Sequence, residues 1–257
     1  MKTSLAWVIA LVTLVGCANQ AESPANANNA PAPEPANNAP VPEPANSTET
    51  GSNAEVAPTP DAETVTILPS ELNHDGLRYS GLNANKVLSY KVSQKGMPDN
   101  FGELKVTRTE VKDGKLKIER QRTGLAQLGN DSVEVRKDGV YVVKMANVDL
   151  STATLELPAD LSVGTTWSDT SEIEVNGVQM KNKATYKVVG DKSVKVPGGT
   201  FTCREITASG TISINGAVNP LKVNAFYAKD VGLIRMQLDT KSNGQDVSFD
   251  MVLNKAP

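Results

Sequence analysis

Apolar and polar positions change their spacing twice along this chain. Leu5 to Val15 is a near-continuous apolar run behind Lys2, and it stops at Cys17. From 18 to 66 no apolar periodicity is visible. From Lys86 onward apolar residues recur at every second position: Leu104 and Val106 alternate with Lys105 and Thr107, and Leu116 and Ile118 with Lys117 and Glu119. Period two puts one face on a core and leaves the other in water, which is the mark of a half-buried antiparallel strand. The alternation predicts strands over Lys86–Ser93, Glu103–Val111, Lys115–Arg122, Ser132–Lys137 and Val140–Ala146, with Asp113-Gly114 and Asp138-Gly139 as tight turns. A loop from Leu157-Pro158 to Thr165 then leads to Trp167. Further strands are expected over Ile173–Val175, Val178–Val189, Thr202–Ile214, Leu221–Lys229, Leu233–Thr240 and Val247–Leu253, with turns at Asn176-Gly177, Asn215-Gly216 and Asn243-Gly244. No window carries a 3.6-residue stripe longer than two turns. The expected fold is all-β, an antiparallel meander of about ten to twelve strands. A curved sheet or open barrel is preferred over a sandwich because nearly every connection is a nearest-neighbour hairpin.

The chain divides into three parts: a signal peptide at 1–16, a linker at 17–66 and a β domain at 67–257. The first apolar run is too short to cross a bilayer, which takes about 20 apolar residues. Residues 18–66 hold nine of the 15 prolines, seven acidic residues and no Lys or Arg. So little apolar surface cannot offset the entropy of ordering, and the segment is expected to be a disordered tether. It contains a short repeat, Ala30-Pro-Ala-Pro-Glu-Pro-Ala-Asn37 and Ala39-Pro-Val-Pro-Glu-Pro-Ala-Asn46. Its reach lies between about 40 Å as a coil and about 150 Å as a polyproline-like chain.

Leu14-Val15-Gly16-Cys17 resembles the lipobox of bacterial lipoproteins. The resemblance implies recognition of Leu14, Val15 and Gly16 by the signal peptidase, cleavage before Cys17, and diacylglyceryl and further acyl groups on that cysteine. Two or three acyl chains hold a protein on a membrane without a spanning helix. Ala18 in place of an Asp implies the outer membrane in preference to the inner, where the cell has one. A second resemblance covers residues 155–240. Gly164-Thr165-Thr166-Trp167, Val196-Pro197-Gly198-Gly199-Thr200-Phe201 and Tyr227-Ala228-Lys229-Asp230-Val231-Gly232-Leu233 look like the recurring turns of exported bacterial β-domains. By architectural analogy, lipoprotein-localisation carriers hold acyl chains in a half-barrel.

Charge changes the picture only slightly. The whole chain is formally −3, but the acidic tether leaves residues 67–257 with 25 basic against 22 acidic side chains. That modest excess suits an anionic surface; scattered basic residues and ten aromatics do not suit nucleic acid. With Cys17 acylated, Cys203 stands alone and no intramolecular disulfide is expected.

Candidate chemistry is sparse. His74, the sole histidine, cannot anchor a histidine-rich metal site and reads as a solvated turn residue. Glu71-Leu72-Asn73-His74-Asp75-Gly76 is similar to the opening of a calcium loop, but Leu82 stands where a bidentate Glu should close it, and an Asp-Gly turn explains the same residues. Gly198-Gly199 lacks the Lys-Ser/Thr and helix of a phosphate loop. Cys203 sits in an apolar strand and reads as an inert thiol; Glu172 and Glu174 share one strand face and read as solvent-side charges. No catalytic, cofactor-binding or metal-ligating residue is assigned, and no cofactor is expected. The expected function is a membrane-tethered envelope lipoprotein serving as a non-catalytic binding or interaction module for an envelope protein or wall polymer. The alternatives are a carrier of lipid or another hydrophobic ligand, and a hydrolase with an unrecognised site.

Overall fold

The computed structural model describes residues 68–125, 129–146, 148–175, 177–242 and 244–256. The signal peptide, Leu14 to Cys17 and the linker lie outside the described residues. After a 3-10 turn at Ser70–Leu72 come the short helix α1 (Asp75–Ser80) and strands β1 (Lys86–Gln94), β2 (Asn100–Lys112), β3 (Lys115–Thr123), β4 (Asp131–Arg136), β5 (Gly139–Met145) and β6 (Val148–Pro158). The second half comprises β7 (Thr166–Val175), β8 (Val178–Val196), β9 (Gly199–Ile214), β10 (Ala217–Ala228), β11 (Gly232–Ser242) and β12 (Gln245–Lys255).

All twelve strands form one sheet, in the order β6-β5-β4-β3-β2-β1-β12-β11-β10-β9-β8-β7. Each strand pairs antiparallel with its neighbour in sequence except across β6 and β7, and β1 pairs with β12. The meander therefore returns on itself, and its edges β6 and β7 approach each other to leave a nearly closed barrel. This is the all-β antiparallel meander that the alternation predicts. The inward side chains form a single buried cluster that includes Leu88, Ile118, Val133 and Val142 from the first half and Ile206, Met236, Leu238 and Leu253 from the second.

Three departures from the sequence-based expectation have local causes. Strand β6 is not among the expected strands, and its last two residues fall where the expected loop begins. Its pairing with β5 shifts register at Val140/Tyr141 and again at Val142/Lys144, so buried positions do not alternate along it. Strand β8 runs past Val189 to Val196 because a register shift at Val188/Gly190 changes which residues are buried, ending the visible period without ending the ladder. Strand β7 starts at Thr166, seven residues before the expected Ile173, and takes in Trp167.

The tight turns separate by geometry. Asp113-Gly114 and Asn215-Gly216 have positive φ at both residues (52° and 68°, 47° and 85°), the primed turns whose twist suits a hairpin. At Asp138-Gly139 only the glycine is positive, at 154°. Asn176 and Asn243 lie outside the described residues.

The largest correction concerns residues 68–83. Where a solvated turn is expected around His74, this segment closes one end of the barrel. Leu72, Leu77 and Leu82 are fully buried, and each contributes about 1.5–3 kcal/mol of apolar burial. Asp75-Gly76 opens a helix rather than making a turn, so the calcium-loop and Asp-Gly-turn readings both give way to α1. The helix is fixed on three sides: the Gly76 N–H donates to Ala159 O (3.3 Å), His74 donates to Arg136 O (2.8 Å), and the Asp230 N–H donates to Arg78 O (2.8 Å).

Candidate functional site

The most unusual chemistry lies inside the barrel. Leu116 and Ile118 set the inward face of β3, and the next inward position is Arg120. Its ladder partner on β4 is Asp131, followed inward by Val133 and Val135. Register alone thus brings a guanidinium and a carboxylate together among aliphatic side chains. Arg120 is 1% exposed, Asp131 5% and Glu156, on β6, 5%. Arg120 Nε and Nη2 donate to Asp131 Oδ1 (2.6 Å) and Oδ2 (2.8 Å), and Nη1 donates to Glu156 Oε1 (3.0 Å). Arg122, one inward step further, donates through Nη2 to Asp131 Oδ2 (3.0 Å) and through Nη1 to Gly129 O (2.6 Å).

Burial pushes the Asp131 carboxyl up, but the guanidinium groups of Arg120 and Arg122 outweigh burial and hold it below the usual carboxylate value. Burial disfavours the Arg120 charge, yet Asp131 and Glu156 more than restore it, so its proton is held more tightly than in water. Around this cluster Tyr90 donates to Leu233 O (2.9 Å), and burial, with the nearby Glu156 charge, raises the Tyr227 phenol well above its ordinary value. Two cations and two anions balance here. Such a network fixes the registers of β3, β4 and β6 and leaves Asp131 occupied by three charge-assisted donors. Sequence reasoning assigned none of these residues. The available signal was a charge at an inward position of an otherwise apolar alternation, twice, on consecutive strands.

The residues that were singled out fall elsewhere. His74 is half-buried rather than solvated and caps α1: Nδ1 accepts from the Leu77 N–H (3.2 Å) while Nε2 faces Arg136 O, which makes the ring the neutral Nε2–H tautomer. Burial is the main reason its pKa lies below the usual value. Cys203 is completely buried, and burial pushes its thiol up to about 11, so little reactive thiolate exists near neutrality. Glu172 and Glu174 are exposed, with Glu172 3.3 Å from Lys181 across the ladder. Among the described residues no three His, Cys, Asp or Glu side chains gather as a metal site.

Each of the three turn motifs makes a clasp. In Gly164-Thr165-Thr166-Trp167, the Gly164 N–H donates to Val188 O and the Val188 N–H to Thr165 O, both 2.9 Å, at the β8 register shift; Trp167 stacks on Tyr186 with ring centres 5.1 Å apart. At the β8–β9 turn the Gly198 N–H donates to Leu253 O (3.0 Å), and a Cβ there would lie 3.1 Å from that oxygen. At the β10–β11 turn, Asp230 takes a bidentate pair from Arg78 (2.9 and 2.6 Å) and a bond from Asn83 Nδ2 (2.9 Å). Gly81, at φ 73°, ends α1 so close to this turn that a Cβ would sit 2.3 Å from Val231 O.

At the opposite end of β1, the β1–β2 turn borders a groove of about 300 Å³ lined by Val92, Gln94, Met97, Pro98 and Phe249. A wetter groove of about 420 Å³ runs beside it past Gln237, Asp239, Ser248 and Asp250.

A family model described as DUF3108-like matches residues 85–249, from just before β1 into β12. The chain belongs to the DUF3108-like family. The matched region of this DUF3108-like chain contains Arg120, Arg122, Asp131 and Glu156 and all three turn motifs, but begins after α1 and ends before Leu253. In structure the DUF3108-like chain is similar to a candidate lipoprotein from Parabacteroides distasonis ATCC 8503, with 13% identity, 68% of this chain and 95% of that one covered, and a TM-score of 0.49. It is also similar to a candidate exported protein with a YmcC-like fold from Bacteroides fragilis NCTC 9343 (11% identity, 66% and 93% covered, TM-score 0.40). A third similar structure is the hypothetical lipoprotein YmcC from Escherichia coli K12 (10% identity, 71% and 91% covered, TM-score 0.32). Among curated proteins, none matches the sequence.

Proposed function

We propose that this DUF3108-like protein is a cell-envelope lipoprotein, moored by acyl chains on Cys17, whose β body is a non-catalytic module that binds an envelope protein or wall polymer. The outer membrane is the favoured site where the cell has one. The observation that carries the non-catalytic reading is the internal pairing of the buried charges: Arg120, Arg122, Asp131 and Glu156 bind one another, and the turn motifs bind the ends of the barrel. Groups committed in this way hold a scaffold in register and do not wait for a substrate. Replacing Cys17 by Ser in cells is expected to abolish palmitate labelling and to move the protein out of the membrane fraction. Labelling that persists in the variant overturns the anchor.

A second reading, carriage of a hydrophobic ligand, is favoured by the apolar side of the groove at Val92, Met97 and Phe249. Native mass spectrometry of the purified protein would then show co-purifying lipid. A ligand-free mass after gentle extraction leaves the first reading.

A further inference from the structure

Among the described residues three arginines present the Nε–Nη2 edge of the guanidinium to both oxygens of a carboxylate, Arg78 to Asp230, Arg120 to Asp131 and Arg235 to Asp250, with all six bonds between 2.6 and 2.9 Å, and Arg136 presents it to one oxygen of Glu134 (2.9 and 2.7 Å). Arg108 presents the same edge and meets no acceptor among the described residues. Its Nε and Nη2 are both buried, while Nη1 alone is used, donating to Asn83 O (3.1 Å). The nearby buried Asn83 Oδ1 also lacks a partner. Burying a guanidinium edge without an acceptor is unfavourable, and the planar fork matches a two-oxygen anion.

The surroundings favour an anion from outside the chain. Arg108 stands one inward step beyond Val106, the ladder partner of Lys86, so Lys86 and Arg108 are diagonal neighbours on one face. Lys86 Nζ donates to Asp230 O (2.8 Å), and Arg78 shares the same turn. Arg78 and Lys86 thus both bind at Asp230, whose carboxylate is already held by Arg78 and Asn83, while no acidic side chain acts on Arg108. Burial holds Arg108 and Lys86 below their ordinary pKa values, and for Arg108 no acidic group offsets it.

We infer that the Nε–Nη2 edge of Arg108, with Lys86 beside it, is an oxyanion site that takes a phosphate or carboxylate group. The Asn83–Asn85 turn overlies it, tied down by Asn83 O to Arg108 Nη1 and by Asn85 Oδ1 to the Arg108 N–H (2.7 Å), so the anion enters as this turn yields. The inference names a ligand chemistry for the binding module and rests on that reading only for where the ligand is met; it stands whether or not Cys17 is acylated.

The test is thermal unfolding of the full-length chain in neutral detergent, with inorganic phosphate titrated against chloride at constant ionic strength. Phosphate at tenfold over its dissociation constant is expected to raise the melting temperature by roughly 3 °C. Arg108→Met is expected to lose this rise while melting no lower than wild type in chloride, because it removes a buried charge that has no counter-ion. Arg108→Lys, which keeps the charge but not the fork, is expected to lose most of the rise. Dihexanoyl phosphatidylglycerol, with the matching phosphatidylcholine as control, separates the sources. A rise with the anionic lipid at lower concentration than with phosphate makes the oxyanion a lipid headgroup, and equal responses make it a free anion. No phosphate-specific rise in wild type, or the same rise in Arg108→Met, overturns the site.

Discussion

Replacing Arg120 by Met is expected to cost about 3–5 kcal/mol of unfolding free energy at neutral pH, measured by urea denaturation. The variant removes three charge-assisted bonds at once and leaves Glu156 buried without the guanidinium that holds it. Against the usual domain stability of about 5–15 kcal/mol, that loss is large enough to populate unfolded chains. Acid should narrow the difference. Because the folded pKa of Asp131 lies below its unfolded value of about 3.9, its ionised form stabilises the wild type above that pH, and this contribution disappears as pH falls through the folded value. The gap between wild type and Arg120→Met should therefore begin to narrow near pH 4, where the unfolded-state carboxyl takes up its proton, and close only as pH passes below the folded value. Exchanging all four charges together, R120M, R122M, D131L and E156L, is expected to recover most of the stability, since apolar packing often matches a buried ion network. A quadruple variant as unstable as the single one would show that the network does more than satisfy itself.

Leu77→Ala is the second large effect. Leu77 is completely buried at the middle of α1, between strands from both halves of the sheet, and its loss leaves a cavity that the surrounding ladders cannot collapse into. The expected cost is about 2–5 kcal/mol. Hydrogen exchange at position 77, Arg78 and Asp230 should accelerate with it, because the first two amides bond to the His74 cap, the Asp230 amide joins the β10–β11 turn to Arg78 O, and all three share the same packing. Unchanged exchange at Asp230 would mean that the turn holds without the helix. Tyr90, whose hydroxyl meets Leu233 O within the barrel, offers a local reporter: near-ultraviolet dichroism should change in Leu77→Ala if the closed end loosens the interior.

Most strands were legible because their chemistry is local. Leu104 and Val106 against Leu116 and Ile118 need only one repeated period and one Asp-Gly turn to pair, and the observed register follows. Where register shifts intervene, at Val140/Tyr141 or Val188/Gly190, the period carries no information about how the ladder continues, and β6 and the far half of β8 could not be read. The helix was hidden for another reason. Six residues are too few for an apolar stripe, and Leu72, Leu77 and Leu82 look isolated until the barrel surrounds them. His74 illustrates the same limit, since its role as a cap depends on Arg136 O, far away in sequence.

The turn motifs were visible as glycine-rich signals but not as clasps. Gly198 and Gly81 are required because backbone from β12 and from the β10–β11 turn approaches them closely, and no local rule contains that approach. The charges went unassigned on similar grounds: an Arg at Arg120 or Arg108 reads as a solvent-side residue wherever a strand's inward face is not yet fixed.

By itself the sequence determined the β character, the hairpin order and the N-terminal pattern from which the anchor is proposed, because each depends on residues within a few positions of one another. Only the tertiary structure decided that β1 closes against β12, that α1 seals one end, and that Arg120 and Arg108 face inward with and without a carboxylate. Those outcomes depend on which distant groups share a dry interior, where the strength of every charge and hydrogen bond is set by what surrounds it.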